Sequence, residues 1–378
     1  MAAEEAPPKL PRKGSAKMQA FVVAALAFAP APAPYLTDLF TELDARLPNG
    51  QYRIPSLVST RSGTLLAIIN GRMHRRDVTP NIIYLRRSVD DGATWSDAVP
   101  LLSDPNNATE FGGAPVFDPV SGAITYVHTK FVFGSHGCGG CVQWGTRSVD
   151  DGLTWSTPQP LNVSGSPANE TYGGALASGI TLKNGAHASR MLVALRGDCC
   201  GQERTSFVIY SDDRGATWRG GQKISLLPQY GGGWTECQVA ELQNGSVLLT
   251  SRNAFDTTSG QGPRMFARSD DGGVSWAANW SAYDLPDPYC EGSLLSDPKA
   301  GTLLFGNPSH AGHRLNFSVH RSADGGRTWP RATVVYAGDA AYSDMAWTRN
   351  GSVAVLFERG SGGDPYRWVS FGVLPVPQ

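Results

Sequence analysis

Short apolar runs that end in small, polar turn residues recur along the chain. An eight-residue pattern, Ser-x-Asp-x-Gly-x-Thr/Ser-Trp, follows such runs five times. Its copies start at Ser88, Ser148, Ser211, Ser269 and Ser322, at intervals of 60, 63, 58 and 53 residues. The runs before them, such as residues 82–85 and 207–210, have the β-branched and aromatic composition of strands. The pattern therefore predicts short strands joined by tight turns.

A second turn, formed by a glycine and followed by β-branched residues or leucine, repeats in a different phase. Its glycines are Gly63, Gly122, Gly185, Gly245, Gly301 and Gly351. A unit of about 50 to 60 residues with two turns is typical of one four-stranded propeller blade. The sequence predicts an all-β fold, a six-bladed β-propeller of four-stranded antiparallel blades, over residues 35–378. The last blade lacks a fourth strand, which we expect residues 35–45 to supply.

The aspartates of the eight-residue pattern are predicted to be structural. They are Asp90, Asp150, Asp213, Asp271 and Asp324. An aspartate can accept backbone N–H groups inside a turn, a glycine adopts positive φ, and a tryptophan packs between sheets. These five Asp boxes are therefore interpreted as turns and not as active sites.

The composition supports a folded domain and excludes recognition by overall charge. Hydrophobic residues make up 41% of the 378 residues, and the net charge is −1. A core can form, and no global field attracts nucleic acid or an anionic membrane. No cofactor and no metal is predicted. Cys138 and Cys141 have metal-ligand spacing that Cys199 and Cys200 could complete, but in a secreted chain disulfides are favoured, and six cysteines leave fifteen pairings open.

Residues 1–34 are predicted to be a signal-like N-terminal segment with a Pro/Ala linker. Basic residues precede an apolar run at 20–29, about half the length that a membrane span needs. The alternative is a disordered tail with an incidental apolar patch. Glycosylation sequons agree with a secretory protein, lysosomal or extracellular, that meets membranes only peripherally or through this segment. The sequons begin at Asn107, Asn162, Asn169, Asn244, Asn279, Asn316 and Asn350.

The phase of the two repeats predicts which end of the blades carries the chemistry. In an antiparallel blade the glycine turns and the Asp boxes share one end. Residues about ten before each glycine, or seven to fourteen after it, belong to the opposite end. Polar and ionisable residues from four blades fall there: Arg53, Asp77, Glu236, Arg252, Arg314, Tyr342 and Glu358. We therefore predict a binding site at that end.

Several stretches carry a resemblance to a known family. Tyr52-Arg53-Ile54-Pro55 resembles the Phe/Tyr-Arg-Ile-Pro motif of exo-α-sialidases, and Asp boxes are the other hallmark of that superfamily. Glu236-Cys237-Gln238, Tyr342-Ser343 and Phe357-Glu358 are most similar to the animal lysosomal sialidases. The resemblance spans about residues 48–375. It implies a retaining exo-α-sialidase that removes terminal sialic acid from glycoproteins, oligosaccharides and gangliosides.

The resemblance also implies roles for individual residues. Arg53, Arg252 and Arg314 match the arginine triad that binds the substrate carboxylate, for which planar guanidiniums are well suited. Glu358 matches the residue that pairs with Arg53, and Arg72 matches a further arginine that lines the pocket. Each arginine taken alone could be an ordinary surface ion pair.

Three residues are predicted to carry the chemistry. A carboxylate nucleophile would be repelled by the substrate carboxylate, whereas a phenol is not, and Tyr342 with Glu236 as its base fits this requirement. Asp77 fits the general acid/base. The structural alternatives are a packed aromatic for Tyr342 and an ion pair with Arg75 or Arg76 for Asp77.

The chain departs from the family pattern at two positions, and two other functions compete. Asn70 stands where the family often has an acid, and Glu291 falls in the phase of the site without a family role. A non-catalytic Asp-box receptor or lectin would need the arginines but not Tyr342 with Glu236. A trans-sialidase would use the same residues and exclude water better.

Overall fold

The computed structural model of the chain describes most of the predicted propeller region. The described residues are 35–44, 46–47, 49–77, 79–103, 108–132, 142–165, 174–197, 205–224, 233–253, 262–297 and 300–375. The predicted N-terminal segment and Cys138, Cys141, Cys199 and Cys200 lie outside them.

The described residues form an all-β structure with a short 3-10 helix at Gly185–His187. The strands are β1 (Leu36–Thr41), β2 (Gln51–Ser59), β3 (Leu65–Arg72), β4 (Asn81–Ser88), β5 (Val99–Ser103), β6 (Ala108–Phe117), β7 (Ile124–Val132), β8 (Val142–Ser148), β9 (Gln159–Pro160), β10 (Val163–Ser164), β11 (Ile180–Thr181), β12 (Met191–Gly197), β13 (Thr205–Ser211), β14 (Trp218–Gly220), β15 (Trp234–Glu241), β16 (Val247–Asn253), β17 (Arg264–Ser269), β18 (Ala278–Ala282), β19 (Ser293–Asp297), β20 (Thr302–Pro308), β21 (Leu315–Ser322), β22 (Arg331–Trp347), β23 (Val353–Ser361) and β24 (Asp364–Leu374). No helix among these residues is long and apolar enough to cross a membrane.

The strands form sheets of four, five and seven strands. Three sheets are four-stranded antiparallel meanders, β2-β3-β4-β5, β6-β7-β8-β9 and β15-β16-β17-β18. A fourth sheet, β11 to β14, gains β10 as a parallel neighbour of β14. The seven-stranded sheet runs β1-β24-β23-β22-β21-β20-β19. The prediction of uniform four-stranded sheets is therefore wrong for two of them.

The seven-stranded sheet exists because β22 is 17 residues long and has two partners. Its first part pairs with β21, ending at Asp339, and its second part pairs with β23 from Ala340 onward. β1 pairs antiparallel with β24, so the segment expected from residues 35–45 does supply the last strand.

The strand register defines two ends of each sheet. In the first sheet Ser59, Leu65 and Ser88 lie in one row, next to the Gly63 turn and the first Asp box. Gln51 and Arg72 are paired at the other end of the same strands. We refer to these as the Asp-box end and the opposite end. Apolar clusters fill the space between adjacent sheets and hold this arrangement.

The Asp boxes are turns that satisfy their own hydrogen bonds. In the first box Ser88 donates to Asp90 at 2.8 Å, and Asp90 accepts the Thr94 N–H at 2.9 Å and its hydroxyl at 2.5 Å. The hydrogen bonds from Thr94 hold the pKa of Asp90 at about 2. The other four boxes, with Asp150, Asp213, Asp271 and Asp324, repeat these bonds.

Candidate active site

Irregular strand pairing positions the site residues at the opposite end. The β2–β3 register shifts between Arg53 and Ser56, and the β15–β16 register shifts between Trp234 and Cys237, around Glu236. The β22–β23 register shifts between Ala340 and Ser343, around Tyr342. A bulge turns a side chain away from the regular alternation and frees backbone groups from the ladder.

Tyr342, Glu236 and Arg252 form a buried hydrogen-bonded set. The Tyr342 hydroxyl donates a short hydrogen bond to Glu236 Oε1. Arg252 Nη1 donates to Glu236 Oε2 at 2.7 Å and to the Tyr342 hydroxyl oxygen at 3.1 Å. One arginine therefore contacts both the phenol and its carboxylate partner.

The charges around this set determine where the proton lies. Burial by itself would raise the pKa of Glu236, but Arg252 and Arg196 outweigh it and lower that pKa to about 2. Burial and the nearby Glu236 carboxylate raise the pKa of Tyr342 well above its ordinary value. At neutral pH the phenol therefore keeps its proton beside an ionised acceptor.

The other two predicted triad arginines also surround Tyr342. The guanidinium carbons of Arg53 and Arg314 lie 5.1 and 5.5 Å from the centre of its ring. Arg314 donates to the Tyr366 hydroxyl at 2.7 Å and to the Tyr289 carbonyl at 3.1 Å. The three arginines come from β2, from β16 and from the bend before β21, and they meet around one tyrosine.

Glu358 is fully buried and connects the strand of Arg53 to the strand of Tyr342. Its Oε1 accepts Arg53 Nε and the Ile54 N–H, both at 2.7 Å. Its Oε2 accepts the Tyr342 N–H at 3.2 Å. Ile54 has a φ of 61°, a left-handed conformation that a β-branched residue rarely adopts. The carboxylate therefore holds Ile54 in a strained position next to the site.

Asp77 lies beside Arg72. Arg72 is buried and donates to Asp77 Oδ1 at 2.9 Å, while 84% of the Asp77 side chain is exposed. Burial lowers the pKa of Arg72, and the charge of Arg53 adds to this effect. Arg75, one of the alternative partners for Asp77, instead pairs with Asp364 at the start of β24.

Several site residues were missed at the sequence level. Arg196 Nη1 lies 3.6 Å from Glu236 Oε1, and the Arg252 guanidinium carbon lies 3.6 Å from the centre of the Tyr289 ring. Tyr366 contacts Arg314. Arg196 follows Gly185 by eleven positions, so the repeat phase contained the signal to find it. The repeat phase does not predict Tyr366, because this residue lies at the start of the last strand, beyond the positions that the phase assigns to the site.

The two described cysteines do not form a disulfide. Cys237 and Cys290 are buried free thiols, and burial raises the pKa of each to about 12. The disulfides favoured for a secreted chain therefore do not include a bond between Cys237 and Cys290. Within the described ranges no group of three or more His, Cys, Asp or Glu side chains could hold a metal ion.

Comparison with known proteins gives a family match over most of the chain. The model of the BNR repeat-like domain matches residues 63–355. A sialidase from Micromonospora viridifaciens is 32% identical over 382 residues, covering 89% of this chain and 55% of its own. Sialidase-3 from Rattus norvegicus is 27% identical over 372 residues, covering 82% of this chain and 87% of its own. The chain thus spans a little over half the length of the Micromonospora relative.

Solved structures show the same fold. The Hadza microbial sialidase Hz136 superposes with a TM-score of 0.73 at 24% identity, covering 86% of this chain and 66% of its own. A leech intramolecular trans-sialidase superposes with a TM-score of 0.73 at 15% identity, covering 90% and 70%. These sialidases are β-propellers, so the likeness indicates a propeller-like fold. The chain belongs to the BNR-repeat sialidase family.

Proposed function

We propose that the protein is a retaining exo-α-sialidase that hydrolyses terminal sialic acid from glycoproteins, oligosaccharides and gangliosides. The observation that carries the proposal is the buried contact of the Tyr342 hydroxyl with Glu236, surrounded by Arg53, Arg252 and Arg314. We assign it to the secretory pathway, in a lysosomal or extracellular location, as the predicted N-terminal segment and sequons favour.

The scaffold of this site is proposed to have six blades. The seven-stranded sheet divides at β22 into two four-stranded units, one of β19, β20, β21 and the first part of β22. The second unit contains the rest of β22, with β23, β24 and β1. Together with the other four sheets this division gives six units, one of which carries β10 as an added parallel strand. Their number agrees with the six glycine turns.

The arginines suit a substrate that carries a carboxylate on its anomeric carbon. Three guanidiniums around one point can hold a single carboxylate through planar, charge-assisted hydrogen bonds. Such a cluster repels itself, and Glu358 offsets this repulsion at Arg53 through their 2.7 Å ion pair. The same geometry would fix the anomeric carbon above the Tyr342 hydroxyl.

Tyr342 and Glu236 would then carry out the first displacement. Glu236 accepts the phenolic proton while the Tyr342 oxygen bonds to the anomeric carbon and the bond to the leaving oxygen breaks. Asp77 would protonate that leaving oxygen and afterwards take a proton from the water that cleaves the sugar–tyrosine bond. Two inversions at the same carbon give net retention.

Hydrolysis of a fluorogenic α-sialoside across about pH 4 to 7 tests the proposal. We expect turnover by the wild-type protein, with the α-anomer of sialic acid as the first product in a proton NMR time course. Tyr342→Phe should lose most turnover while it still folds and binds a sialic-acid analogue. Analogue binding without wild-type turnover would favour the lectin, and sialylated acceptor as the main product would favour the trans-sialidase.

A further inference from the structure

The bulge that carries Tyr342 leaves two consecutive backbone N–H groups outside the strand ladder. The β22–β23 pairing resumes only at Ser343, after the register shift that begins at Ala340. The Tyr342 N–H donates to Glu358 Oε2 at 3.2 Å, and the Ser343 N–H donates to Glu291 Oε2 at 3.0 Å. Two buried glutamates from different parts of the chain therefore accept the two amides on either side of the Tyr342 carbonyl.

The segment that carries Glu291 also contacts the rest of the site. Tyr289 has a φ of 56°, and its ring lies 3.6 Å from the guanidinium carbon of Arg252. Cys290 packs in one apolar cluster with Tyr342. This segment therefore touches the phenol, its neighbouring arginine and the backbone beneath it.

A fully buried arginine holds this segment from the side of β17. Arg264 Nη1 donates to the Cys290 carbonyl at 2.8 Å and forms an ion pair with Asp287 at 3.3 Å. Arg264 Nε donates to Thr250 on β16 at 2.8 Å. The backbone beside Glu291 is thus held by the neighbouring sheet, and the Glu291 side chain accepts the Ser343 N–H.

We infer that Glu291 is a positioning residue for Tyr342, holding the bulge so that the phenol stays within hydrogen-bonding distance of Glu236. The inference rests on the proposed function, because it assigns Glu291 to the nucleophile of that reaction. Glu358 holds the Tyr342 amide and also binds Arg53, whereas Glu291 holds the next amide and binds no triad arginine. The loss of Glu291 therefore affects turnover more than substrate binding.

The role requires a hydrogen-bond acceptor and not a negative charge. Among the residues that the structure describes, no group forms a hydrogen bond with the buried Glu291 Oε1, an unfavourable setting for an ionised carboxylate. Burial raises the pKa of Glu291 well above its ordinary value, and the charges of Asp344 and Glu236 add to this while Arg264 opposes it. A glutamine has the same shape and offers a carbonyl oxygen, so it should replace Glu291.

Kinetics of Glu291→Gln and Glu291→Ala on a fluorogenic α-sialoside test the inference. We expect Glu291→Ala to lower kcat about tenfold or more with KM changed by less than about twofold. Glu291→Gln should stay within about twofold of wild type in kcat. If Glu291→Ala does not fold, Glu291→Asp, whose carboxylate is one methylene shorter, takes its place.

Glu241→Ala is the matched control. Glu241, like Glu291, is a buried glutamate that accepts hydrogen bonds from the backbone, but it lies near the Asp-box end. It accepts the N–H groups of Lys183 at 2.8 Å and Asn184 at 2.7 Å. The Glu241→Ala variant should have a lower melting temperature, as Glu291→Ala does, and an unchanged kcat. Equal kcat in the two alanine variants, or equal losses in Glu291→Gln and Glu291→Ala, would overturn the inference.

Crystal structures separate this inference from the proposed function. The distance from the Tyr342 hydroxyl to Glu236 can be measured without any substrate. An increased distance in Glu291→Ala but not in Glu291→Gln supports the positioning role, even if the wild-type protein has no sialidase activity. An unchanged distance in Glu291→Ala overturns it, whatever the wild-type activity.

Discussion

At the Asp-box end each Asp box is closed by hydrogen bonds that span no more than four positions, as the bonds from Ser88 and Thr94 to Asp90 illustrate. At the opposite end several contacts of the site join distant parts of the chain. Arg53 and Glu358 are 305 positions apart, and Tyr342 and Glu236 are 106 apart. Local contacts give five nearly identical turns, whereas long-range contacts form a single site that no other part of the described structure repeats. A repeated fold can therefore carry a unique function at the end where its strand register becomes irregular.

The largest contrast between the two ends should appear in turnover when buried glutamates are changed. Glu236→Gln removes the proton acceptor of Tyr342, and we expect kcat to fall about 10²- to 10⁴-fold. Glu241→Gln, near the Asp-box end, should leave kcat unchanged. Steady-state kinetics on a fluorogenic α-sialoside measure both. A Glu236→Gln variant with wild-type kcat would remove Glu236 from the mechanism.

The next effect is on stability. Glu358→Ala leaves Arg53 buried without its partner and frees the amides of Ile54 and Tyr342. We expect the free energy of unfolding to fall by about 3–5 kcal/mol, as when one member of a buried ion pair is removed. Urea denaturation followed by tryptophan fluorescence measures the change. A loss below about 1 kcal/mol would indicate that the pair contributes no more than a surface ion pair.

A smaller effect should appear in the pH dependence of stability. The pKa of Glu236 falls on folding from an unfolded value of about 4.3 to about 2. A carboxyl with a lowered folded pKa stabilises the protein above its unfolded pKa, and this stabilisation is lost as the pH falls toward the folded value. Glu236→Gln should therefore reduce the loss of stability between about pH 5 and 2, measured by urea denaturation at each pH. An unchanged pH dependence would contradict the pairing of Glu236 with Arg252.

The smallest effect is expected at a single Asp box. Asp271 accepts two bonds from Ser275, at 2.9 and 2.5 Å, and one from Ser269 at 2.7 Å. We expect Asp271→Ala to lower the free energy of unfolding by about 1–2 kcal/mol without changing kcat. Thermal denaturation and the sialoside assay measure the two quantities. A fall in kcat at full folding would mean that the two ends are coupled.

The same contrast explains what the sequence could predict. The Asp boxes and glycine turns are local, so their spacing predicts the strands, the two ends and the positions of Arg53, Glu236 and Tyr342. The contacts of Tyr289 and Tyr366 depend on how distant strands meet, and no spacing encodes them. The continuous β22, which joins two predicted blades, was missed for the same reason.

The register shifts could not be predicted either. The repeat phase places Tyr342 at the correct end of its strand, but a regular antiparallel ladder would pair the amide of one of Tyr342 and Ser343 with β23. Only the structure shows that both amides turn to glutamates. For this reason the repeat phase placed Glu291 at the end that carries the site but did not predict its role.

The pairing of β1 with β24 affects the order in which the strands can pair during synthesis. Leu36 is paired with Gly372, and Asp38 accepts a hydrogen bond from Arg359 at 2.7 Å, so the strand that pairs with β1 is synthesised after all the other described strands. A ribosome releases β1 before β24 exists, and until then β1 is a strand without its hydrogen-bonded neighbour. The sheet that carries Tyr342 is completed only when the last strand emerges. A chain shortened within β24 would therefore keep nearly all its turns and still lack the strand that completes the sheet of its proposed nucleophile.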